Sequence, residues 1–440
     1  MTKLGRLPIA IGLVAALSAC GVFKGGQKKT PVIGERVPIL LSESSIAADP
    51  SLSALEVVLP PAAPNDAWNQ PGGNAAKSMG HLALGTSLSR AWQTRVPGGS
   101  NRVRLGAAPV IAGGTLYVMD TVGSVHAFDA ANGAARWTTA TVKGDGNKAA
   151  RFGGGASVLG GRVFAANGLG EVVALDAGTG AEVWRAKPGG PLRGSPTLDD
   201  DNLYVVTQDN QLFALEQATG RVIWTQSGSL ETQGVFGVAA PAAAQGTIVA
   251  GFSSGELNAY RYENGRTLWG DSLSRTSITT SVSSLADIDA EPVIDSGRAY
   301  AVGQGGRMVA LEVVSGQRLW EQNLAGISTP WVAGEWIFVV TDDARLICLS
   351  RGSGKVRWIS QLPRYRNVKK SKGPISWVGP ILAGGRLWVA NSEGALASAS
   401  PTDGGLGGTM TIKGRFTLSP VVANNTLYTL SDDGTLTAFR

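Results

Sequence analysis

Tryptophan recurs along this chain at near-regular intervals. Seven tryptophans follow one another at spacings of 38 to 51 residues, namely Trp92, Trp137, Trp184, Trp224, Trp269, Trp320 and Trp358. A period of about 44 residues is typical of proteins in which each repeat is one small antiparallel sheet. Such a repeat cannot bury its apolar face alone, so neighbouring repeats must pack on one another. The spacing therefore favours a propeller or a similar repeat array.

Every repeat has the same internal order. Residues 154–184 read as a strand, a Gly turn, a second strand, a Thr-Gly turn and a strand that ends in Trp. Short period-two runs bounded by Gly, Asn and Asp predict hairpins. Comparable copies occupy residues 107–137, 194–224, 239–269, 290–320 and 328–358, and two more begin at Gly379 and Ser419. Blades of four strands fit this period, so the sequence predicts an all-β, eight-bladed β-propeller over residues 86–440.

The two ends of the predicted propeller complement each other. Residues 88–96 contain Trp92 with no strands before it, and the eighth copy stops at Arg440 without a Trp. We predict that this N-terminal strand closes the last blade, because a closed ring removes exposed sheet edges. In the seventh copy, Pro401–Gly408 predicts a loose turn, and we expect the next strand at Met410–Phe416.

The N-terminal residues have the pattern of an export signal. Lys3 and Arg6 precede an apolar stretch at residues 7–17, too short to span a membrane. Residues 17–20, Leu-Ser-Ala-Cys, resemble a bacterial lipobox, which implies a signal peptide at 1–19 and lipidation of Cys20. Because Gly21 follows the Cys, the resemblance implies the outer membrane. Residues 20–85, with seven prolines, predict an extended tether, from which Trp68 could dock on the propeller or on a partner.

The composition offers little that could support catalysis. The chain of 440 residues carries a net charge of +6 and only two histidines, His81 and His126. Neither metal-ligand spacing nor a nucleophile or phosphate motif is found, and Cys348 has the pattern of a buried apolar residue. A basic cluster at residues 364–372 predicts a loop, and an export signal argues against nucleic acid as its partner. We expect no catalytic residue, no metal and no cofactor.

The stretch Ala174-Leu175-Asp176-Ala177-Gly178-Thr179-Gly180 with Trp184 resembles the tryptophan-docking repeat of quinoprotein dehydrogenases. That resemblance implies an eight-bladed propeller with pyrroloquinoline quinone and Ca²⁺ on its axis. This chain is shorter than those enzymes and lacks the vicinal Cys pair that many of them have. We therefore take the repeat as evidence of fold, with a quinoprotein-like dehydrogenase as the alternative function.

The lipobox, the tether and the eight repeats together resemble the BamB family of outer-membrane protein assembly factors. The resemblance implies a non-enzymatic scaffold of the β-barrel assembly machinery, held to the outer membrane by its lipid and facing the periplasm. It also implies a contact with POTRA domains of the barrel-insertion protein BamA. Unfolded outer-membrane proteins are a further expected partner, through pairing with an outer blade strand.

Two stretches carry the expected partner site. Residues 285–293 resemble the family's Leu-x-Asp-Val-Asp-x-x-Pro-Val stretch, which implies roles for Asp287 and Asp289. Residues 233–241 align with a family stretch whose Leu and Arg contact the POTRA domain, and Val235 and Phe236 stand at those positions, so the Arg is absent. We expect an exposed Phe236 beside a carboxylate rim. Residues 192–196 resemble the same motif and are the less favoured site.

A cell-wall or glycan-binding lipoprotein is the remaining alternative. Exposed aromatic side chains could stack on sugars, and the chain has four tryptophans outside the periodic set and the tether: Trp331, Trp336, Trp377 and Trp388. We favour core packing for most of them.

Overall fold

The strands form eight four-stranded antiparallel sheets in a ring, which confirms the predicted eight-bladed propeller. The computed structural model describes residues 46–100, 103–144, 153–230, 239–273 and 287–440. In seven blades the chain runs from the innermost to the outermost strand in sequence order. Among these residues no helix has the length and apolar character of a membrane-spanning segment.

The first four blades comprise β2–β5, β6–β9, β10–β13 and β14–β17. Their bounds are Val110–Ala112, Thr115–Met119, Ser124–Asp129 and Ala135–Ala140; Gly154–Leu159, Arg162–Asn167, Val172–Asp176 and Glu182–Ala186; Thr197–Asp199, Asn202–Val206, Gln211–Glu216 and Val222–Ser227; Ala242–Ala244, Thr247–Gly251, Glu256–Arg261 and Thr267–Ser272.

Blades 5 to 7 comprise β18–β21, β22–β25 and β28–β31, and blade 8 comprises β32–β34 with β1. Their bounds are Val293–Asp295, Arg298–Gly303, Arg307–Glu312 and Arg318–Gln322; Trp331–Ala333, Trp336–Val340, Arg345–Ser350 and Val356–Gln361; Trp377–Ala383, Arg386–Asn391, Ala395–Ala399 and Leu406–Thr411; Val421–Ala423, Thr426–Leu430, Thr435–Phe439 and Arg90–Arg95. A small hairpin, β26 (Tyr365–Asn367) and β27 (Lys372–Pro374), and 3-10 turns at Pro50–Leu52 and Val368–Lys370 complete the set.

The ring closes as predicted. β1 pairs antiparallel with β34, with Arg95 opposite Thr435 and Trp92 opposite Ala438. The expected strand at Met410–Phe416 is wrong in its bounds, because β31 already begins at Leu406 and pairs with β30 up to Thr411. The predicted turn at Pro401–Gly408 is therefore shorter than expected: residues 401–405 precede the strand, and residues 406–408 belong to it.

The periodic tryptophans join each blade to the next. Each lies in an outermost strand, and its indole N–H donates to a backbone carbonyl of the following blade. The Nε1–O distance is 3.0 Å for Trp137 and Ala177, and 2.8 Å for Trp224 and Tyr262. Buried aromatic rings dominate local packing, so seven such contacts hold the ring together; β31 carries no Trp.

A turn glycine meets each of these rings. A Cβ at Gly220, where φ is +75°, would lie 2.6 Å from ring atoms of Trp184. Only glycine tolerates both the positive φ and this approach, which explains why a Gly precedes the last strand in blades 1 to 7.

Residues 57–84, here called the strap, make one circuit around the axis inside the ring. They bond to the innermost strands of all eight blades in order, at equivalent positions in seven of them. The hydrogen-bonded pairs are Asn65 with Asn424 and Val422, Trp68 with Ile111, Asn69 with Val158, Gln70 with Leu198, Ala75 with Ala243, Ala76 with Ile294, Gly80 with Trp331, and Leu82 with Leu382 and Gly384.

The strap ends meet and close the circuit. The N–H of Ala63 donates to the carbonyl of His81 at 2.8 Å, and the N–H of Ala83 donates to Ala63 at 2.8 Å. Innermost strands present an unpaired edge to the axis, and unpaired backbone groups away from water are costly. The strap satisfies many of those groups, so part of the segment expected to be a tether is docked, with Trp68 buried.

Candidate functional site

The ring has two distinct ends. At the loop face, each outermost strand connects to the next innermost strand; its described connections include residues 187–196, 287–292, 323–330, 362–376 and 412–420. At the turn face, short turns join the first to the second and the third to the fourth strand of each blade. The strap pairs near the turn-face ends of the innermost strands, so it closes the axial space on that side.

A cavity of about 370 Å³ lies on the axis between the strap and the loop face. Strap residues Trp68, Pro71, Gly72 and Lys77 form its floor. Its wall comes from the starts of blades 1, 5, 6, 7 and 8, and includes Leu105, Pro109, Asp289, Glu291, Ile327, Trp331, Pro380, Leu418 and Pro420. A mostly apolar cavity with a few convergent charges is the usual form of a binding site.

A buried ion cluster joins two loops beside this cavity. Nη2 of Arg193 lies 2.8 Å from Oδ1 of Asp287 and 3.0 Å from Oδ1 of Asp289. Nε2 of Gln304 donates to the other oxygen of Asp289 at 3.0 Å. Arg193 precedes β10 in blade 3 and the two aspartates precede β18 in blade 5, so the cluster ties together loops that are distant in sequence.

The backbone positions these side chains. The N–H of Arg193 donates to the carbonyl of Val206 at 2.9 Å, and the N–H of Gln304 donates to the carbonyl of Asp287 at 3.0 Å. Each loop is therefore fixed to the second strand of its own blade. A site held by such contacts is preorganised, which lowers the ordering cost of binding.

Burial shapes the ionisation of the cluster. Arg193, Asp287 and Asp289 are each at most 5% exposed. Desolvation, with the charge of Asp287 second, raises the pKa of Asp289 to about 7. Two carboxylates face one guanidinium, and Nη1 of Arg193 has no acceptor among the described residues. Changes in protonation near neutral pH therefore alter the charge of the loop face.

A second pair of buried charges lies in the cavity itself. Nζ of Lys77 donates to the carbonyl of Pro71 at 2.9 Å and to Oγ1 of Thr197 at 3.3 Å. Burial lowers the pKa of Lys77 to about 8, and burial also raises the pKa of Glu291, whose charge opposes the shift of Lys77. The strap thus brings a cation to the axis that sequence patterns gave no reason to expect.

The structure describes only part of the predicted partner site, and that part is buried. Cys20, Val235 and Phe236 lie outside the described residues. We expected Asp287 and Asp289 to form a carboxylate rim beside Phe236, but both are buried and paired with Arg193. Their part in partner binding stays a prediction.

The cluster contains one residue, Arg193, that was not among the predicted site residues. Arg193 stands in the Leu-Arg-Gly-Ser-Pro stretch at 192–196, which we treated as the less favoured copy of the family motif. Its contact with both aspartates favours that stretch over residues 233–241 as the counterpart of the family's Leu and Arg. The signal was the Arg itself, which the other stretch lacks.

The remaining reactive side chains serve the fold. Nε2 of His126 lies 2.7 Å from Oδ2 of Asp120, and Oδ1 of the same carboxylate accepts the N–H groups of Val122 and Ser124 in a turn. No group of three His, Cys, Asp or Glu side chains that could hold a metal occurs within the described ranges. Cys348 is fully buried, and burial raises the pKa of its thiol. Trp331, Trp336, Trp377 and Trp388 are buried, as favoured.

Solved structures show the same fold. BamB from Moraxella catarrhalis superposes with a TM-score of 0.68 at 19% identity, over 80% of this chain and 100% of that one. A europium-containing methanol dehydrogenase superposes with a TM-score of 0.67 at 13% identity, over 85% of this chain and 98% of that one. At such identities the likeness concerns the fold alone.

Sequence relatives and a family model identify the family of this chain. The outer membrane protein assembly factor BamB of Escherichia coli K12 is 29% identical over 387 residues, covering 79% of this chain and 87% of the relative. That of Yersinia pestis is 28% identical over 245 residues, where the match spans 60% of the relative. The family described as outer membrane protein assembly factor BamB matches residues 82–151 and 123–360. This chain belongs to the BamB family of outer membrane protein assembly factors.

Proposed function

We propose that this protein is a non-enzymatic scaffold of the outer-membrane β-barrel assembly machinery and that its loop face binds POTRA domains of a BamA-like protein. The buried cluster of Arg193, Asp287 and Asp289 carries the proposal. It fixes two loops whose sequences resemble the family's partner-binding stretches, so they present one rigid surface.

Apolar side chains are also exposed in the connections on the loop face. Ile327 is 42% exposed and lines the axial cavity, and Leu230 is 78% exposed in the connection from blade 3 to blade 4. The fully buried core of a protein interface is more apolar than its rim, so exposed apolar side chains on this face are candidate contact residues. Val235 and Phe236 follow Leu230 in the same connection and stay in the proposed site.

The proposal includes an anchor at Cys20 in the outer membrane, with the propeller in the periplasm. Two or three acyl chains hold a protein at a membrane durably, at ~0.8 kcal/mol for each buried CH₂. Names of the relatives support an association with outer-membrane assembly.

Client binding is a further part of the proposal. The strap covers the inner edges of the blades, which leaves the outermost strands as the free edges. An extended segment of an unfolded outer-membrane protein could pair with such an edge through main-chain hydrogen bonds.

The quinoprotein alternative fits these residues poorly. A quinone with Ca²⁺ needs several oxygen ligands, whereas the axial carboxylates Asp289 and Glu291 face Arg193 and Lys77. The strap also closes the axial space on the turn-face side. The glycan alternative loses its basis, because the four tryptophans that suggested it are buried.

A binding measurement tests the proposed face. We expect Ile327→Glu combined with Leu230→Glu to weaken binding to the cognate POTRA repeats by tenfold or more, because a hot-spot loss costs about 2 kcal/mol. The fold should be unaffected, since both side chains are substantially exposed. The control, Val314→Glu, changes a 75% exposed residue on the turn face.

Equal binding by the double variant and the control would refute the loop face as the partner site. Absence of POTRA binding by the unmodified, folded chain would refute the proposed function itself.

A further inference from the structure

The basic cluster that the sequence places between blades 6 and 7 is a structured hairpin. Tyr365 pairs with Pro374 and Asn367 pairs with Lys372. Oδ1 of Asn367 accepts the N–H of Lys370 at 3.1 Å, which caps the 3-10 turn at the tip. The N–H of Ile375 donates to the carbonyl of Arg364 at 2.9 Å and closes the base. The expected loop is therefore a preorganised arm.

The hairpin concentrates positive charge with little compensation. Its cations are Arg364, Arg366, Lys369, Lys370 and Lys372. Arg366 reaches a carboxylate only at 3.7 Å, that of Glu393, and Arg364 lies over the ring of Tyr365 and near Asp343.

The three lysines are exposed, and none forms an ion pair with the described part of the chain. Val368, at the tip, is 76% exposed. Like charges held this close repel one another, so the fold gains nothing from them and they are available to a partner.

The arm rises from the same face as the candidate site. Ser376, at its base, lines the axial cavity, and its N–H donates to Oγ of Ser392 at 3.1 Å. Asp289 and Glu291 line the same cavity. At the centre of the loop face these carboxylates are buried and face Arg193 and Lys77, whereas the arm at its edge is basic and exposed. A partner that matches both is fixed in orientation as well as position.

We propose that this hairpin is a second contact for the protein that binds the loop face, and that it recognises an acidic segment of that partner. The proposal rests on the proposed function. The arm acts mainly by steering: long-range attraction raises the association rate and selects one orientation. A protein surface is favoured over a lipid headgroup because the arm borders the cavity and the Arg193 cluster on one face.

The test is the association rate of the full chain with the cognate POTRA repeats at several salt concentrations. We expect the variant Lys369→Gln, Lys370→Gln and Lys372→Gln to associate about 3- to 10-fold more slowly at low salt. The difference should shrink towards 0.5 M salt, roughly, where screening is strong. The dissociation rate should change little.

The control variant removes the same charge elsewhere, through Arg90→Gln, Arg221→Gln and Arg266→Gln at exposed positions. Equal association rates for the two triple variants at low salt would overturn the proposal and leave the proposed function standing if Ile327→Glu with Leu230→Glu still weakens binding. Loss of binding to phosphatidylglycerol-containing vesicles, with unchanged POTRA association, would overturn it in favour of a lipid surface.

Discussion

The strap offers the sharpest test of how this propeller is held together. Trp68 is 4% exposed, its ring stacks on that of Trp331 with centroids 6.2 Å apart, and its backbone pairs with Ile111 in both directions. We predict that Trp68→Ala destabilises the whole domain, because the strap bonds to every innermost strand and its loosening exposes their edges.

The magnitude follows from burial. A Trp side chain buries roughly 150–250 Å², which at ~25 cal/mol per Å² corresponds to about 4–6 kcal/mol. Substitutions of buried Trp by Ala generally cost about 3–5 kcal/mol. We therefore expect the free energy of unfolding to fall by about 3–5 kcal/mol. The control within the strap itself is Val58→Ala, which changes a side chain 66% exposed and should cost less than about 0.5 kcal/mol.

Two assays separate strap loosening from a local defect. Urea unfolding followed by circular dichroism gives the free energy, and trypsin reports the strap directly, since Lys77 is 2% exposed and protected when docked. We expect cleavage after Lys77 in Trp68→Ala but not in Val58→Ala. A loss below about 1 kcal/mol, with Lys77 still protected, would refute the reasoning.

Three further predictions concern the ring and its charges. Gly220→Ala should cost about 1–3 kcal/mol in urea unfolding, because the new Cβ meets Trp184 at a positive φ; an unchanged midpoint would contradict this. Asp289 binds its proton more tightly in the folded state, with a pKa of about 7 against 3.8, so it contributes less stability as pH rises through that window. Asp289→Asn should therefore reduce the loss of stability between pH 4 and pH 7 relative to the unmodified chain, and an identical pH profile would count against the buried position of Asp289. In a chain without Cys20, Cys348 should react with a thiol reagent only on unfolding, because it is buried and its thiol pKa is raised; rapid labelling in buffer would be inconsistent with that burial.

The ring was predictable because its determinants are local and repeated. The Trp, its partner turn glycine and the hairpin signals recur in most copies, so one blade predicts the next. The first residue of β31 was misplaced because Gly407 and Gly408 have the pattern of a turn, whereas pairing of β31 with β30 holds them in a strand.

The strap and the ion cluster could not be predicted in the same way. The strap has no period, and its prolines suggest a spacer; its order comes from unpaired backbone edges that exist only once the ring has formed. Arg193 lies 94 residues from Asp287 in sequence, and its contact depends on loops from blades 3 and 5 meeting near the axis. Burial of that cluster follows from the closed ring, not from any local pattern.

Photocrosslinking in membranes tests the central claim most directly. A photoreactive residue at Ile327 lies on the loop face, and one at Val314 lies on the turn face with greater exposure. We predict crosslinks from position 327 to a large β-barrel protein with periplasmic POTRA repeats, and none from position 314. Crosslinks to that protein from position 314 alone, or from neither position in folded and abundant protein, would contradict the assignment of the loop face as the partner-binding surface.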